Sequence, residues 1–268
     1  MDLGVPKVMG ILNLTPDSFF DGGSYMDGDS VLSRVETMLE QGATFIDMGA
    51  YSSRPGAEEL SESGELDRMI PMLDLVLKNF PDALVSIDTF RSKVARECVA
   101  HGAAMINDIS AGNLDPGMIA TVAQMQVPYI MMHMRGDPGT MQEQTGYGDL
   151  LGDINHYFSE KIQQAVSHKI NDIILDPGFG FSKTAGQNYS LLGHLERFQA
   201  FGLPLLVGLS RKSMIYKVLG TSPREALNGT TALHGIALLK GAHIIRVHDV
   251  KEAVECVKLV EVLKENAL

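Results

Sequence analysis

The sequence predicts an α/β protein, a (β/α)8 barrel of the TIM type, with residues 1–268 as a single domain. Three observations predict it. Eight short, nearly continuous apolar runs recur along the chain, segments of helical spacing separate them, and 268 residues is about the length of one such barrel. Parallel strands covered on both faces read as unbroken apolar runs rather than as alternating ones. Eight of them within this length favour a closed barrel over the alternative, an open doubly wound sheet. No low-complexity tract or Ser/Pro-rich linker marks a second domain.

The eight runs are, in order, VMGILNL (Val8 to Leu14), ATFIDMG (Ala43 to Gly49), ALVSIDT (Ala83 to Thr89), AMINDIS (Ala104 to Ser110), PYIMMHM (Pro128 to Met134), DIILDPG (Asp172 to Gly178), LPLLVGLS (Leu203 to Ser210) and AHIIRVHD (Ala242 to Asp249). After the first run, SVLSRVETMLEQG places Val31, Val35, Met38 and Leu39 on one helical face. ELDRMIPMLDLVLKNF after the second, RSKVARECVAHG after the third and EAVECVKLVEVLKE after the last repeat that spacing. Gly42, Gly102, Gly202 and Gly241 each follow a helical stretch as a C-terminal stop.

The formal net charge of −11 argues against a general nucleic-acid binder, which carries a basic patch. It does not exclude an anionic substrate, because local charge can oppose the global sign. Two cysteines without CxxC spacing, Cys98 and Cys256, indicate no disulfide framework and a reducing compartment. The N-terminal segment lacks the features of a signal peptide, and no apolar run reaches transmembrane length. The expectation is a cytoplasmic protein without a membrane or nucleic-acid partner.

In this fold the chemistry sits at the C-terminal ends of the strands. All eight runs end in polar residues: Asn13; Asp47; Asp88-Thr89; Asn107-Asp108; His133 to Gly136; Asp176-Pro177; Ser210 to Ser213; and Arg246 to Asp249. For Asp108, Ser110 and Asp249, helix capping or scaffold work is as good a reading as ligand contact. Asp88, Asn107, Asp176 and Arg246 fall inside the apolar runs, before a helix can begin, so they are expected to be buried around the barrel mouth. Burying an unpaired polar group costs roughly 2–7 kcal/mol, and a converging set of them is the signature of a small-ligand site.

The residue types divide by chemistry. Arg54, Lys212, Arg246 and His248 suit an anion. Asp88, Asn107 and Asp176 supply acceptors, or mixed donors and acceptors, for a heterocycle with amidine- or guanidine-like N–H edges. Asn13 offers a neutral oxygen to Mg²⁺, an ion commonly bound alongside substrate phosphates. There is no zinc spacing, GxGxxG or P-loop; His133 reads as structural or ligand-adjacent. Ser210 has no evident His partner in the sequence, so no activated nucleophile is expected. The connections after the first, second and fifth strands are long, and the first two, with Gly22-Gly23 and Pro55-Gly56 as turn residues, are expected to order over the site when ligand binds.

GILNLTPDSFFDGG, SSRPGA, SIDT, NDIS, MHMRG, DPGFGFSKT, GLSRKS and IIRVHDV together closely resemble the motifs of the dihydropteroate synthase family, in that family's order, from Met9 to Val250. The resemblance implies a barrel that joins 6-hydroxymethyl-7,8-dihydropterin pyrophosphate to 4-aminobenzoate, releasing 7,8-dihydropteroate and pyrophosphate in folate biosynthesis, with Mg²⁺ assisting, sulfonamides competing and a homodimer as the assembly. Carried over by motif, Asp88, Asn107, Asp176, Lys212 and Arg246 would bind the pterin, with Asp88, Asp176, Lys212 and Arg246 the catalytic set. Asn13, Ser52, Arg54, Arg246 and His248 would hold the pyrophosphate, Asn13 also contacting the metal. Phe19, Asp21, Ser53, Arg54, Pro55 and Lys212 would form the 4-aminobenzoate pocket. The second loop departs from the family's usual GGESTRPG: here Ala50, Tyr51 and Ser53 stand for Gly, an acidic residue and Thr. A methyltetrahydrofolate-type pterin methyltransferase, the strongest rival, would share the pterin acceptors but need no pyrophosphate clamp. A non-catalytic pterin-binding protein would have no use for Asn13, Arg246 and His248 together.

Overall fold

A computed structural model describes residues 3–14, 27–51 and 60–267. Its strands are β1 (Lys7–Asn13), β2 (Phe45–Gly49), β3 (Leu84–Asp88), β4 (Met105–Asp108), β5 (Tyr129–Met132), β6 (Ile173–Asp176), β7 (Leu206–Val207) and β8 (Ile244–Val247). Its helices are α1 (Gly28–Glu40), α2 (Glu62–Asn79), α3 (Ser92–Ala100), α4 (Met118–Met125), α5 (Leu150–Ser167), α6 (Ala185–Gly193), α7 (Ser213–Leu219), α8 (Leu227–Leu239) and α9 (Val250–Asn266). Every strand pairing is parallel, in the order β6-β5-β4-β3-β2-β1-β8-β7. The bridge Leu175↔Leu205 joins β6 to the chain entering β7 and closes the ring.

Seven strands lie inside their apolar runs, and β1 starts one residue before its own, at Lys7. The seventh is shortest relative to its run: Pro204 has no N–H to give a ladder, and the Leu205 N–H donates to His243 Nδ1 at 3.1 Å instead. Its neighbours still use this stretch: Leu175 donates to the Pro204 carbonyl at 2.9 Å and Ile244 to that of Leu205 at 3.0 Å. On α1, Val31, Val35 and Met38 are buried and Leu39 is partly so. Gly42, Gly102, Gly202 and Gly241 all take positive φ after a helix or 3-10 turn, as the stop signals predict.

The alternation of side chains along each strand positions the site. One set of residues packs as a closed apolar floor inside the barrel: Met9, Phe45, Met105, Ile130, Ile174, Leu206 and Ile244. Their strand neighbours, among them Val8, Ile46, Ile106, Tyr129, Ile173, Val207 and Ile245, belong to the larger core beneath the helices. Two residues beyond the floor, on the same inward face, stand Asp47, Asn107, Asp176 and Arg246. The period of two therefore carries each of these strands from apolar floor to polar mouth in one step.

Asp108 and Ser110 do scaffold work. The Asp108 carboxylate, fully buried, accepts from the Ser110 N–H and hydroxyl (both 2.8 Å), the Gly112 N–H (2.7 Å) and the Tyr129 hydroxyl (2.6 Å). This staples the turn after β4 to β5. Tyr129→Phe is expected to lower the unfolding free energy by about 1–3 kcal/mol, by leaving a buried carboxylate one donor short. An unchanged urea midpoint would show that the staple holds without it.

Candidate active site

Arg246, rising from β8, is bracketed by two carboxylates from strands far away in sequence. Its Nε donates to Asp47 Oδ2 at 2.5 Å and its Nη2 to Asp88 Oδ2 at 2.6 Å. Asp47 is completely buried and also accepts from Asn107 Nδ2 at 3.1 Å. One hydrogen-bonded chain thus joins the ends of β2, β3, β4 and β8. Asp88 and Arg246 are only part-buried, with side-chain exposures of 24% and 20%, so both present a face to the mouth. Among the described residues the third guanidinium nitrogen, Nη1, has no partner.

Burial and the crowding of acids shape the electrostatics. Asp88 is pushed up to about 7, first by burial, with Arg246 pulling it down and Asp47 pushing it up. Burial works against the Arg246 charge, but Asp47 and Asp88 outweigh it and hold the guanidinium above its ordinary value. Asp176 is raised by burial, against the pull of Lys212 and of the Gly178 N–H, which donates to Asp176 Oδ1 at 2.8 Å. Lys212, capping α7, is lowered to about 8 by burial, with Asp176 opposing. Its Nζ donates to the Phe179 carbonyl and stands 4.7 Å from the centre of the Phe181 ring. The pterin set expected from the sequence, Asp88, Asn107, Asp176, Lys212 and Arg246, is therefore gathered at one barrel mouth.

His248 and Asn13 lie at neighbouring strand ends. Ser210 Oγ is 3.0 Å from His248 Nδ1 and accepts from the His248 N–H at 3.3 Å. Ser210, without an evident His partner in the sequence, thus gains one in the fold. The fold brings together residues 38 apart in sequence, across β7 and β8, and no local spacing reveals it. Arg34 Nη2 on α1 donates to the His248 carbonyl at 2.7 Å, fixing the backbone there as well. Asp249 does scaffold work, though not as a side-chain cap: it takes Arg211 in a two-point pair, both bonds 2.7 Å. Asn13 ends β1 half-buried, and among the described residues its amide has no hydrogen-bond partner.

Two residues of this site carried no assigned role in the sequence. In the sequence Asp47 stands only as a strand end, yet it follows Phe45 by two residues on the inward face, and that period is the signal that finds it. Lys183, in the turn after β6, lies in the DPGFGFSKT motif, but no pattern in the sequence gives it a role. Its Nζ is buried 3.0 Å from His133 Nδ1 and donates to the carbonyls of Gly178 (3.0 Å) and Phe181 (3.1 Å). His133 is thereby structural: burial first, then the nearby Lys183 and Arg135 charges, push its ring down to about 2 and keep it neutral.

Phe19, Asp21, Ser52, Ser53, Arg54 and Pro55 lie outside the described residues, as do most positions of the expected loop ordering. Of the departures in the second loop, Ala50 is buried and Tyr51 packs edge-on against Phe90, ring centres 5.1 Å apart, with the Arg91 guanidinium 5.3 Å from its own ring. Arg91 and Thr89 both bond Glu65 at the start of α2, Thr89 at 2.7 Å. The substituted tyrosine thus joins the packing that fixes the end of β3, where Asp88 sits.

Comparison with known proteins adds to this geometry. Residues 9–248 match the family described as pterin binding enzyme. The dihydropteroate synthase of Escherichia coli K12 is 46% identical over 271 residues, covering 99% of this chain and 95% of that one. The crystal structure of the Yersinia pestis dihydropteroate synthase with a sulfonamide drug superposes with a TM-score of 0.94 at 46% identity, covering 99% of this chain and 96% of that one. The Xanthomonas albilineans dihydropteroate synthase bound to 4-aminobenzoic acid gives 0.91 at 36% identity, over 98% and 95%. With eight strand-end motifs in register and near-complete mutual coverage, the chain belongs to the dihydropteroate synthases of the pterin-binding enzyme family.

Proposed function

We propose that this chain condenses 6-hydroxymethyl-7,8-dihydropterin pyrophosphate with 4-aminobenzoate, giving 7,8-dihydropteroate and pyrophosphate. The observation that carries the reading is the continuous chain of acceptors and guanidinium across the barrel mouth, Asn107–Asp47–Arg246–Asp88, with Asp176 and Lys212 beside it. Asp88, Asn107 and Asp176 take the N–H edges of the pterin. Arg246 Nη1, His248 and Asn13 face the pyrophosphate, and Ser210 orients the His248 ring toward it. The C–O bond to the pyrophosphate breaks first, the leaving group keeping the electron pair. The positive charge left on the exocyclic carbon spreads into the electron-rich ring, near the fixed charges of Asp88 and Asp176. The aromatic amine then attacks that carbon and loses a proton.

The residues present fit Mg²⁺. Among the described residues no group of three or more His, Cys, Asp or Glu could hold a metal, and within that same set the Asn13 amide oxygen has no hydrogen-bond partner. That is the environment Mg²⁺ accepts when substrate phosphates and water complete its shell. When bound there it would supply charge stabilisation of the departing pyrophosphate.

The assembly proposed is a homodimer. α7, α8 and α9 pack side by side and expose Val218, Leu219, Ile236, Leu239, Leu259 and Val262, a density of apolar surface that a lone protomer would leave to water. Among the described residues no helix is long and apolar enough to cross a membrane. The two buried free cysteines are in keeping with a cytoplasmic setting.

The decisive assay supplies the pterin pyrophosphate and 4-aminobenzoate and follows pyrophosphate. Sustained release is expected to need both substrates and Mg²⁺. Full activity in excess chelator would remove the metal from this reading. Methyl transfer coupled to a corrinoid protein, without pyrophosphate release, would replace the reading with that of a pterin methyltransferase.

A further inference from the structure

The turn after β6 is held almost entirely by side chains. The Gly178 N–H is taken by Asp176 Oδ1 at 2.8 Å and the Gly180 N–H by Asn188 Oδ1 at 2.8 Å. The carbonyls of Gly178 and Phe181 are taken by Lys183, and that of Phe179, between them, by Lys212. Two ammonium groups thus hold three carbonyls of one short turn. Lys212 belongs to the pterin set; Lys183 has no part in the site as read above. We propose that Lys183 is a positioning residue for pterin binding: anchored on His133, it fixes the turn that sets the directions of Asp176 and Lys212.

The geometry supports this at each link. A fully protonated lysine has three protons, and His133 Nδ1, the Gly178 carbonyl and the Phe181 carbonyl are three acceptors at 3.0, 3.0 and 3.1 Å. His133 is neutral, so Nδ1 can accept while the ring proton sits on Nε2. The anchor is rigid, because His133 is buried and the Tyr157 ring packs edge-on to it with centres 4.8 Å apart. The turn lies hard against this anchor: a Cβ on Gly178, whose φ is +73°, would fall 2.0 Å from the His133 carbonyl oxygen and 3.4 Å from Lys183 Nζ. Burying an ammonium merely to close a turn is costly. Here the charge also acts on Asp176, which holds Lys183 up against the burial that lowers it to about 7. Loss of the clip leaves the Gly178 carbonyl to the longer bond from the Phe181 N–H (3.2 Å), one peptide from the N–H that orients Asp176, and removes the tie on the Phe181 carbonyl beside the Lys212 acceptor.

The inference rests on the reading that Asp176 and Lys212 receive the pterin, and the test separates the two. Calorimetry on the full-length protein would measure 6-hydroxymethylpterin and, separately, inorganic pyrophosphate with Mg²⁺. Lys183→Met is expected to weaken the pterin by about tenfold to a hundredfold, the loss of charged hydrogen bonds, and to raise KM for the pterin pyrophosphate with pyrophosphate affinity unchanged. Equal weakening of both ligands, or of neither, would overturn the proposal, since a merely structural lysine does not select one end of the substrate. If Lys183→Met does not fold, His133→Leu and His133→Asn replace it. Leucine leaves the ammonium one acceptor short and should weaken the pterin; asparagine restores an acceptor and should recover it. Identical pterin affinity in the two would also overturn the proposal. Asp176→Asn is the control on the underlying reading: unchanged pterin affinity there defeats that reading and this inference together. A loss in Asp176→Asn without one in Lys183→Met defeats the inference alone.

Discussion

Arg246→Ala is expected to cost at least about a hundredfold in kcat/KM, from lost charged hydrogen bonds, and about 3–5 kcal/mol of unfolding free energy, the penalty for orphaning buried charge. The guanidinium is the counter-charge for two carboxylates, one of them wholly buried. The sign of the pH dependence follows from Asp88. Its carboxyl in the folded protein sits near 7, raised first by burial and held down by Arg246, against roughly 3.9 in an unfolded chain. A carboxyl raised on folding contributes stability below its unfolded value, and that stability is lost as pH rises through the folded one. Removing Arg246 raises the folded value further, so the loss continues to higher pH. Urea titrations should therefore show the gap between wild type and variant widening as pH passes about 7. A constant gap would show that Arg246 is not what restrains Asp88. Calorimetry should show a greater loss for the pyrophosphate ester than for a pterin lacking it. Equal losses would assign the guanidinium, two of whose nitrogens already serve Asp47 and Asp88, to the pterin or the barrel alone.

Asp88→Asn and Asp176→Asn are expected to lower kcat by about a hundredfold to a thousandfold, the usual effect of losing one preorganised group at a developing charge (about 2.7–4 kcal/mol). Ground-state affinity for the pterin should fall less. Anchoring alone would give the opposite pattern, a raised KM with kcat intact. With Asp88 near 7, wild-type turnover should decline as pH falls through that region, because the stabilising carboxylate is neutralised. The residual activity of Asp88→Asn should lack that acidic limb. Stopped-flow measurement should find pyrophosphate released before 4-aminobenzoate binds. Strict dependence of C–O cleavage on the amine and its nucleophilicity would rule out departure of the leaving group first.

Much of this was legible in the sequence. The eight runs locate the eight strands, and polar residues interrupting them locate Asp88, Asn107, Asp176 and Arg246, because a strand's direction and its inward face are both local properties. Pairings between distant strands were not legible. Nothing near Ser210 names His248, and nothing near Arg246 names Asp47, because barrel closure sets those distances. Asp47 was recoverable from its place two residues beyond Phe45. Lys183 was not, since its role depends on the bend of a glycine turn toward another strand's histidine. The first- and second-loop residues expected around 4-aminobenzoate, Phe19, Asp21, Ser53, Arg54 and Pro55, fall outside the described residues.

The bracketed guanidinium has a consequence in time as well as in space. Arg246 reaches Asp47 across 199 positions and Asp88 across 158, and Ser210 and Arg211 likewise wait for His248 and Asp249. A growing chain carries its acids early and their counter-charge near the end. The pairs of Arg246 with Asp47 and Asp88 can therefore form only once the eighth strand has been made and docks against the first.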